Sequence, residues 1–324
     1  MKRWLRVGAT LLVTSAAIAY VVSKVDLAKT WDIITGASVP WLVLSACLTV
    51  VTVPPMAWRW KQLLRVRGID EAVPWLTRTY FVSYAVGQVL PTSVGGDASR
   101  IFETVRRHPG QGTPITGSVL LERAIGGAVT LLLAGIGLLL AIGRYPIGPY
   151  LWIEALFVVA TICVGFVFFS RRVRTRLKFA LPYVRKLRIE RPARAVYEGL
   201  HGYRDHPWTL LVVAGVSASQ QLLRILAIYA SGRAVGIDLG LLPYVILGPL
   251  LFLVMLVPFT VNGIGVREAF FVDFLGKLGV SHDAAFACGF LFFILTIVLA
   301  LPGVAIILWE NVFGRRATAV PDGT

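Results

Sequence analysis

Long apolar stretches without a single acidic or basic residue alternate with short charged segments along the whole chain. Eight such stretches occur, at 7–22, 33–58, 79–96, 124–143, 155–170, 207–223, 239–266 and 284–309. A helix of about 20 apolar residues crosses the hydrocarbon core of a bilayer, which is about 30 Å thick. Several of the stretches are that long, so we predict an all-α integral membrane protein.

The composition supports this reading and excludes others. Hydrophobic residues make up 56% of the 324 residues and charged residues 15%, and the mean hydropathy is +0.74. Such values exclude a soluble enzyme and a nucleic-acid partner. We expect a single polytopic domain over 1–324 in the cell membrane, and no motif predicts a metal or a cofactor.

The basic residues predict the orientation of the chain. Lys and Arg outnumber Asp and Glu by 32 to 17, and such an excess belongs to cytoplasmic loops beside anionic lipid. The clusters assigned to the inside are Lys2, Arg3 and Arg6; Arg59, Lys61, Arg65 and Arg67; Arg100, Arg106 and Arg107; the segment 171–204; and Arg315 with Arg316. Both termini are therefore predicted to be cytoplasmic, with 5–22 as an uncleaved span or, alternatively, a cleavable secretory signal.

The segment 72–114 does not fit a single crossing, because both of its flanks are basic. Pro91 and the pair Gly95-Gly96 interrupt its apolar stretch near the middle. A hairpin that enters and leaves the membrane on the cytoplasmic side satisfies the charge rule. Eight plain spans are the alternative.

The same landmarks recur later in the chain at offsets of 165 to 169 residues. Arg59, Gly68-Ile69-Asp70, Pro74 and Pro91 are followed by Arg224, Gly236-Ile237-Asp238, Pro243 and Pro258. Charge bias gives the two copies opposite orientations, as in transporters built from inverted repeats with broken helices. We predict two inverted-topology repeats, with about six full spans and two re-entrant hairpins.

The predicted boundaries follow from these landmarks. The first repeat, 5–142, holds spans 5–22, 39–57 and 115–142 and the hairpin 73–105. The second, 151–309, holds spans 151–169, 208–230 and 283–309 and the hairpin 242–277. A basic cytoplasmic connection at 170–207 separates the repeats, and 310–324 forms a short tail.

Ionisable residues inside apolar surroundings are the candidates for function, because each costs about 2.5 to 3.5 kcal/mol on insertion. These are Asp97, Arg100, Glu122, Arg123, Arg224, Arg267, Glu268 and Asp273. Arg78 and Glu154 lie nearer to span ends, where a side chain reaches the interface at lower cost.

The tips of both hairpins predict a site for a phosphate group. Ser93, Gly95 and Gly96 precede Asp97 and Arg100 in the first; Asn262, Gly263 and Gly265 precede Arg267 and Glu268 in the second. Small residues leave N–H groups free at a helix start, and arginine grips phosphate oxygens. We expect the two tips to meet near the midplane; a glycine turn with a local ion pair is the alternative.

Glu122 and Arg123 lie near the start of an apolar helix and point about 100° apart, so they do not satisfy each other. We expect Glu122 to face Arg267 or Arg100, and Arg123 to face Asp97, Glu268 or substrate phosphate. A purely structural interhelical pair is the other possibility. Glycines on the same span predict close helix packing.

Three motifs resemble the lysylphosphatidylglycerol synthase transmembrane family. They are Leu90-Pro-Thr-Ser-Val-Gly-Gly-Asp-Ala-Ser-Arg100, Leu121-Glu-Arg123, and Pro258-Phe-Thr-Val-Asn-Gly-Ile-Gly-Val-Arg-Glu268, in a resemblance over roughly 5–310. It implies movement of lipid between leaflets, with the paired charges of all three motifs at a central cavity. Only fifteen residues follow Trp309, so no aminoacyltransferase domain is expected.

Residues and resemblance together predict a flippase for a phosphate-bearing amphiphile, either a phospholipid such as a phosphatidylglycerol derivative or a polyprenyl-phosphate-linked lipid. The alternatives are a membrane enzyme that transfers a lipid phosphate and a partner subunit of a separate glycosyltransferase or synthase.

Overall fold

Helices are the regular elements throughout the described part of the chain, in a computed structural model. The structure describes residues 15, 18–89, 95–145, 148–169, 202–203, 205–256, 263 and 265–317. After helix α1, described over 18–24, come α2 Leu27–Thr35, α3 Val39–Val51, α4 Val53–Val66, α5 Val73–Val89, α6 Gly95–Arg107, α7 Gly112–Ala141, α8 Gly148–Phe169, α9 Pro207–Ala234, α10 Leu241–Leu256, α11 Val266–Gly276 and α12 His282–Ala317. The all-α prediction is confirmed.

Four described helical segments are long and apolar enough to cross a membrane: Val39–Val66, Gly112–Ala141, Pro207–Ala234 and His282–Val312. Each overlaps a predicted full span. The hairpin arms α5, α6, α10 and α11 have 17, 13, 16 and 11 residues. At 1.5 Å per residue these arms reach about 17 to 26 Å, short of a 30 Å core. Their lengths favour re-entrant hairpins.

The second predicted span, 39–57, ends too early. Helix α3 is followed directly by α4, and the apolar segment extends to Val66. Pro54 and Pro55 have no N–H to donate to the preceding turn, which divides the segment at Thr52 without ending it. Arg59 therefore lies on a membrane helix and is buried, whereas the sequence placed it in a cytoplasmic cluster.

Helix α2 was not predicted, since 24–38 reads as an outer connection. The Asp26 side chain caps the helix by accepting hydrogen bonds from the N–H groups of Ala28 and Lys29. Leu27 and Trp31 are exposed on it. Helix α12 continues to Ala317, so the predicted tail begins as helix. The connection 170–207 lies almost wholly outside the described residues.

The Gly-Ile-Asp landmarks form the same helix end in both halves. Gly68 and Gly236 have φ of 75° and 79°, a left-handed conformation that glycine adopts without strain. In each copy the isoleucine N–H returns to a carbonyl five residues earlier, that of Leu64 or Gly232. Each aspartate accepts a hydrogen bond from an arginine five residues before it.

Asp70, outside the membrane helices, has its pKa lowered by hydrogen bonds from Arg65 and Lys61.

Helix packing pairs the two halves crosswise. Helix α5 packs against α12, α10 packs against α7, and α9 packs against α3 and α4. Exchange of the halves converts each contact into its counterpart, which is the arrangement that an internal repeat predicts. Two glycines permit the close approach: Gly137 of α7 lies on the Val245 carbonyl, and Gly303 of α12 on that of Phe81. The inverted orientation of the halves stays a prediction.

Candidate functional site

A cavity of about 300 Å³ lies among α4, α5, α6, α7, α9 and α10. Its charged and polar lining consists of Arg59, Tyr80, Ser83, Tyr84, Asp97, Arg100, Glu122, Arg123, Thr130, Ser217, Gln220, Gln221 and Arg224. We call it the charged cavity. The described lining includes four arginines and two carboxylates, an excess of two positive charges.

Glu122 is the centre of the network. Its carboxylate accepts hydrogen bonds from Arg59, from the Tyr80 hydroxyl at 2.5 Å and from Nη1 of Arg100 at 2.7 Å. Glu122 and both arginines are buried. The predicted contact between Glu122 and Arg100 is confirmed, and the alternative partner Arg267 lies elsewhere. Two guanidinium groups around one carboxylate keep a buried negative charge paired.

Asp97 links the first hairpin to α7. It accepts hydrogen bonds from Nε of Arg100 at 2.9 Å and from Arg123. The predicted contact of Arg123 with Asp97 is therefore confirmed. The Arg123 side chain is 38% exposed and lines the cavity.

Aromatic rings fix the guanidinium of Arg100. It lies 4.7 Å from the ring centres of both Trp60 and Tyr80. The Trp60 Nε1–H group donates to Ser118 Oγ at 2.9 Å, which holds the indole in place. Cation–π contact and ion pairing thus leave Arg100 little freedom to follow a moving ligand.

The glycines of the first tip have a packing role. Gly95 and Gly96 are buried, and a methyl group on Gly96 would overlap the Ser83 carbonyl oxygen of α5. This close approach gives Gly96 a packing role, and the phosphate-binding role of these glycines stays a prediction. Ser93 lies outside the described residues.

Arg59 and Arg224 complete the cavity. The sequence named Arg224 among the candidates for function without placing it at a hairpin tip, and it placed Arg59 in a cytoplasmic cluster. Nη1 of Arg59 donates to Ser217 Oγ at 2.8 Å and to Gln220 Oε1 at 2.7 Å. Arg224 lies 3.8 Å from the Phe252 ring centre and 3.2 Å from Gln221 Oε1. No described carboxylate contacts Arg224. The predicted repeat pairs the two arginines at an offset of 165 residues, and this correspondence was the signal that could have placed Arg59 beside Arg224.

The charged pair of the second hairpin tip lines a second cavity. Arg267 donates from Nε and Nη2 to Glu268 Oε1 at 2.8 and 2.6 Å, and Glu268 Oε2 accepts from the Gly265 N–H at 2.8 Å. The pair lies beside Phe293, in a cavity of about 220 Å³ with otherwise apolar lining. Among the described residues, Arg267 and Glu268 therefore line a different cavity from Asp97 and Arg100, and the single site between the two tips stays a prediction.

The two glycines described near that tip are needed for the backbone conformation. Gly263 and Gly265 have φ of 75° and 82°, and Gly265 is the N-cap of α11. Only a residue without Cβ adopts this conformation freely. Asn262 lies outside the described residues.

The candidate Asp273 and two further ionisable residues lie away from both cavities. Asp273 accepts hydrogen bonds from Tyr150 and Lys277, each at 2.8 Å, and is partly exposed. Arg78 forms salt bridges with Glu103 and Glu310. Glu154, expected to reach the interface, is instead buried, and neither of its oxygens has a partner among the described residues.

The charged cavity can hold an anion inside the membrane. Arg59, Glu122 and Arg224 all lie on helices long enough to span it. A comparison with curated proteins found no match. A family model described as the lysylphosphatidylglycerol synthase TM region matches residues 7–303.

Proposed function

Because the chain belongs to the lysylphosphatidylglycerol synthase transmembrane family, we propose that it is a lipid translocase whose charged cavity binds the phosphate of its cargo. The cargo is a phosphate-bearing amphiphile, either a phosphatidylglycerol-like phospholipid or a polyprenyl-phosphate-linked lipid. Its hydrocarbon tail stays in the bilayer while the headgroup crosses through the protein.

The excess of positive charge in the cavity carries this proposal. An arginine without a counter-charge at membrane depth is costly, and a phosphate group supplies the missing negative charge. Arg224 is the clearest case, since its described contacts are an aromatic ring and an amide oxygen. Guanidinium groups bind phosphate through paired, charge-assisted hydrogen bonds.

The arginines divide into fixed and accessible groups. Arg59 and Arg100 are buried in ion pairs with Glu122, so their positions in the cavity wall are fixed. Arg224 and the partly exposed Arg123 are the groups that contact the incoming phosphate. Such preorganisation avoids the cost of gathering several positive charges when the lipid arrives.

Open space for the headgroup comes from two glycines of α7. Gly126 and Gly127 line the cavity, and a methyl group on either would meet no atom within 4 Å. These two residues therefore serve the cavity and not the helix packing that the sequence predicts for them. The described polar lining from α9 then surrounds the headgroup with hydrogen-bonding groups.

Leaflet exchange in liposomes tests the proposal. We expect the purified chain to exchange fluorescent phosphatidylglycerol or a polyprenyl-phosphate between leaflets. Arg224→Gln removes charge-assisted hydrogen bonds of about 1.5–3 kcal/mol, so exchange should fall roughly tenfold or more. Arg233→Gln is the matched control, because Arg233 lies on the same helix but pairs with exposed Asp238.

Exchange that Arg224→Gln leaves unchanged would contradict a phosphate site in the charged cavity. A folded wild-type chain that exchanges none of these lipids would contradict the translocase. Metal-dependent turnover of the lipid phosphate, or co-purification with a glycosyltransferase, would then favour the enzyme or the partner subunit.

A further inference from the structure

Glu154 is a buried ionisable residue without a described hydrogen-bond partner. It lies on α8, whose Trp152, Leu156 and Val159 are exposed apolar residues that face the bilayer. Glu154 points the other way and is 7% exposed. It therefore lies between α8 and the rest of the protein.

Neither oxygen of Glu154 accepts a hydrogen bond from any described group. The other buried glutamates differ: Glu122, Glu268 and Glu71 each contact an arginine. An ionised carboxylate without a counter-charge in a low-dielectric medium is so costly that the group neutralises itself by taking up a proton. Burial without a partner thus favours the carboxylic acid.

The helices packed against α8 place no described hydrogen-bonding charge on Glu154. These helices are α7 and α10, and also α11, whose Asp273 and Lys277 hydrogen-bond to Tyr150 instead. A methyl group on Gly135 of α7 would lie 3.7 Å from Glu154 Oε1. The ionisable residues of α7, Glu122 and Arg123, lie about 18–20 Å away along the helix axis and are engaged in the charged cavity. In sequence, α10 holds one ionisable residue, Tyr244.

A path for protons starts one turn away. Tyr150 precedes Glu154 by four residues and so shares its helix face. The Tyr150 hydroxyl donates to Asp273 at 2.8 Å and receives a hydrogen bond from Lys277 at 3.3 Å. Asp273 and Lys277 are partly exposed, whereas Tyr150 and Glu154 are buried.

We propose that Glu154 is a proton-binding site inside the membrane, loaded from the Asp273 and Tyr150 side, and that its proton is coupled to lipid movement. Loading converts the carboxylate to the carboxylic acid with one proton from water, and unloading returns that proton. The proton site stands on the burial and missing partners of Glu154. The coupling rests in addition on the proposed translocase function.

Infrared spectroscopy tests the proton site without any transport. At neutral pH the wild-type chain should show the C=O stretching band of a buried carboxylic acid, shifted in D₂O, and Glu154→Gln should lack it. Asp32→Asn, at an exposed carboxylate of α2, should keep the band. Identical spectra for wild type and Glu154→Gln would overturn the proposal.

Thermal unfolding supplies a second readout, since glutamine matches the neutral form of glutamate in shape. Glu154→Gln should unfold at the wild-type temperature or above. A marked loss of stability would show that the native charge has a partner, which also contradicts the proposal.

Liposomes with an imposed pH gradient test the coupling. The gradient should change the wild-type and Asp32→Asn exchange rates, and this dependence should be lost in Glu154→Gln. A gradient effect that survives in Glu154→Gln would overturn the coupling. Absence of exchange by the wild type would instead count against the translocase, while the infrared band still decides the proton site.

Discussion

Two arginines of the charged cavity, Arg59 and Arg100, share the carboxylate of Glu122. The sequence predicted Glu122 with Arg100 and Arg123 with Asp97, because residues near the start of an apolar helix need partners on neighbouring elements. It did not predict Arg59, since a basic residue just beyond an apolar stretch reads as part of a loop. The turn of helix that continues past Pro54 and Pro55 buries this arginine.

Replacing Glu122 should destabilise the fold. Glu122→Gln leaves Arg59 and Arg100 without their shared counter-charge, and removal of one member of a buried ion pair costs about 3–5 kcal/mol. Thermal unfolding in detergent measures the loss. Glu103→Gln is the control, because Glu103 pairs with Arg78 at a more exposed position and should cost about 1 kcal/mol or less. Equal effects for both variants would disprove the central role of Glu122.

At the scale of helices, the sequence predicted the elements well and their boundaries less well. Proline and glycine landmarks located both hairpins, and helix-length apolar stretches located the spans. The short helix α2 was not predicted because it has nine residues and begins at an Asp26 cap, so it does not form a long apolar stretch. Close packing by glycine was predicted for α7 but is confirmed there only where a facing backbone is close, as at Gly137.

The contact of α12 with α5 depends on Gly303. Gly303→Ala would place a methyl group on the Phe81 carbonyl oxygen, so the two helices must separate. We expect a loss of about 1–3 kcal/mol in the free energy of unfolding. The control is Gly215→Ala on an exposed face of α9, where no atom lies near and alanine favours the helix by about 1 kcal/mol. Unchanged stability of Gly303→Ala would argue against this packing.

The whole molecule joins two halves that pack crosswise and differ in charge. Repeat landmarks in the sequence predicted the similarity, and the crosswise packing of α5 with α12 and α10 with α7 agrees with it. The difference was not predictable, because Arg267 and Glu268 read like the charges of the first tip. Glu268 turns back to cap α11 and neutralises Arg267, so the second cavity carries no excess charge.

The ion pair of Arg267 with Glu268 gives a prediction for the second half. Arg267→Met leaves Glu268 buried and unpaired, with an expected loss of about 3–5 kcal/mol. The double variant Arg267→Met, Glu268→Gln keeps the cap and should recover most of this stability. It should also exchange phosphate lipid at nearly the wild-type rate, in contrast to Arg224→Gln. A stable double variant without exchange would show that the second tip binds the cargo.

The central claim is that lipid phosphate enters the charged cavity, and photocrosslinking tests it most directly. A phosphatidylglycerol analogue with a photoreactive group beside the phosphate is activated in liposomes that contain the protein, and the labelled peptides are identified by mass spectrometry. We predict labels on α7 and α9 around Arg123 and Arg224, reduced by excess unlabelled phosphatidylglycerol. Labels confined to the second cavity around Arg267 and Phe293 would contradict the account.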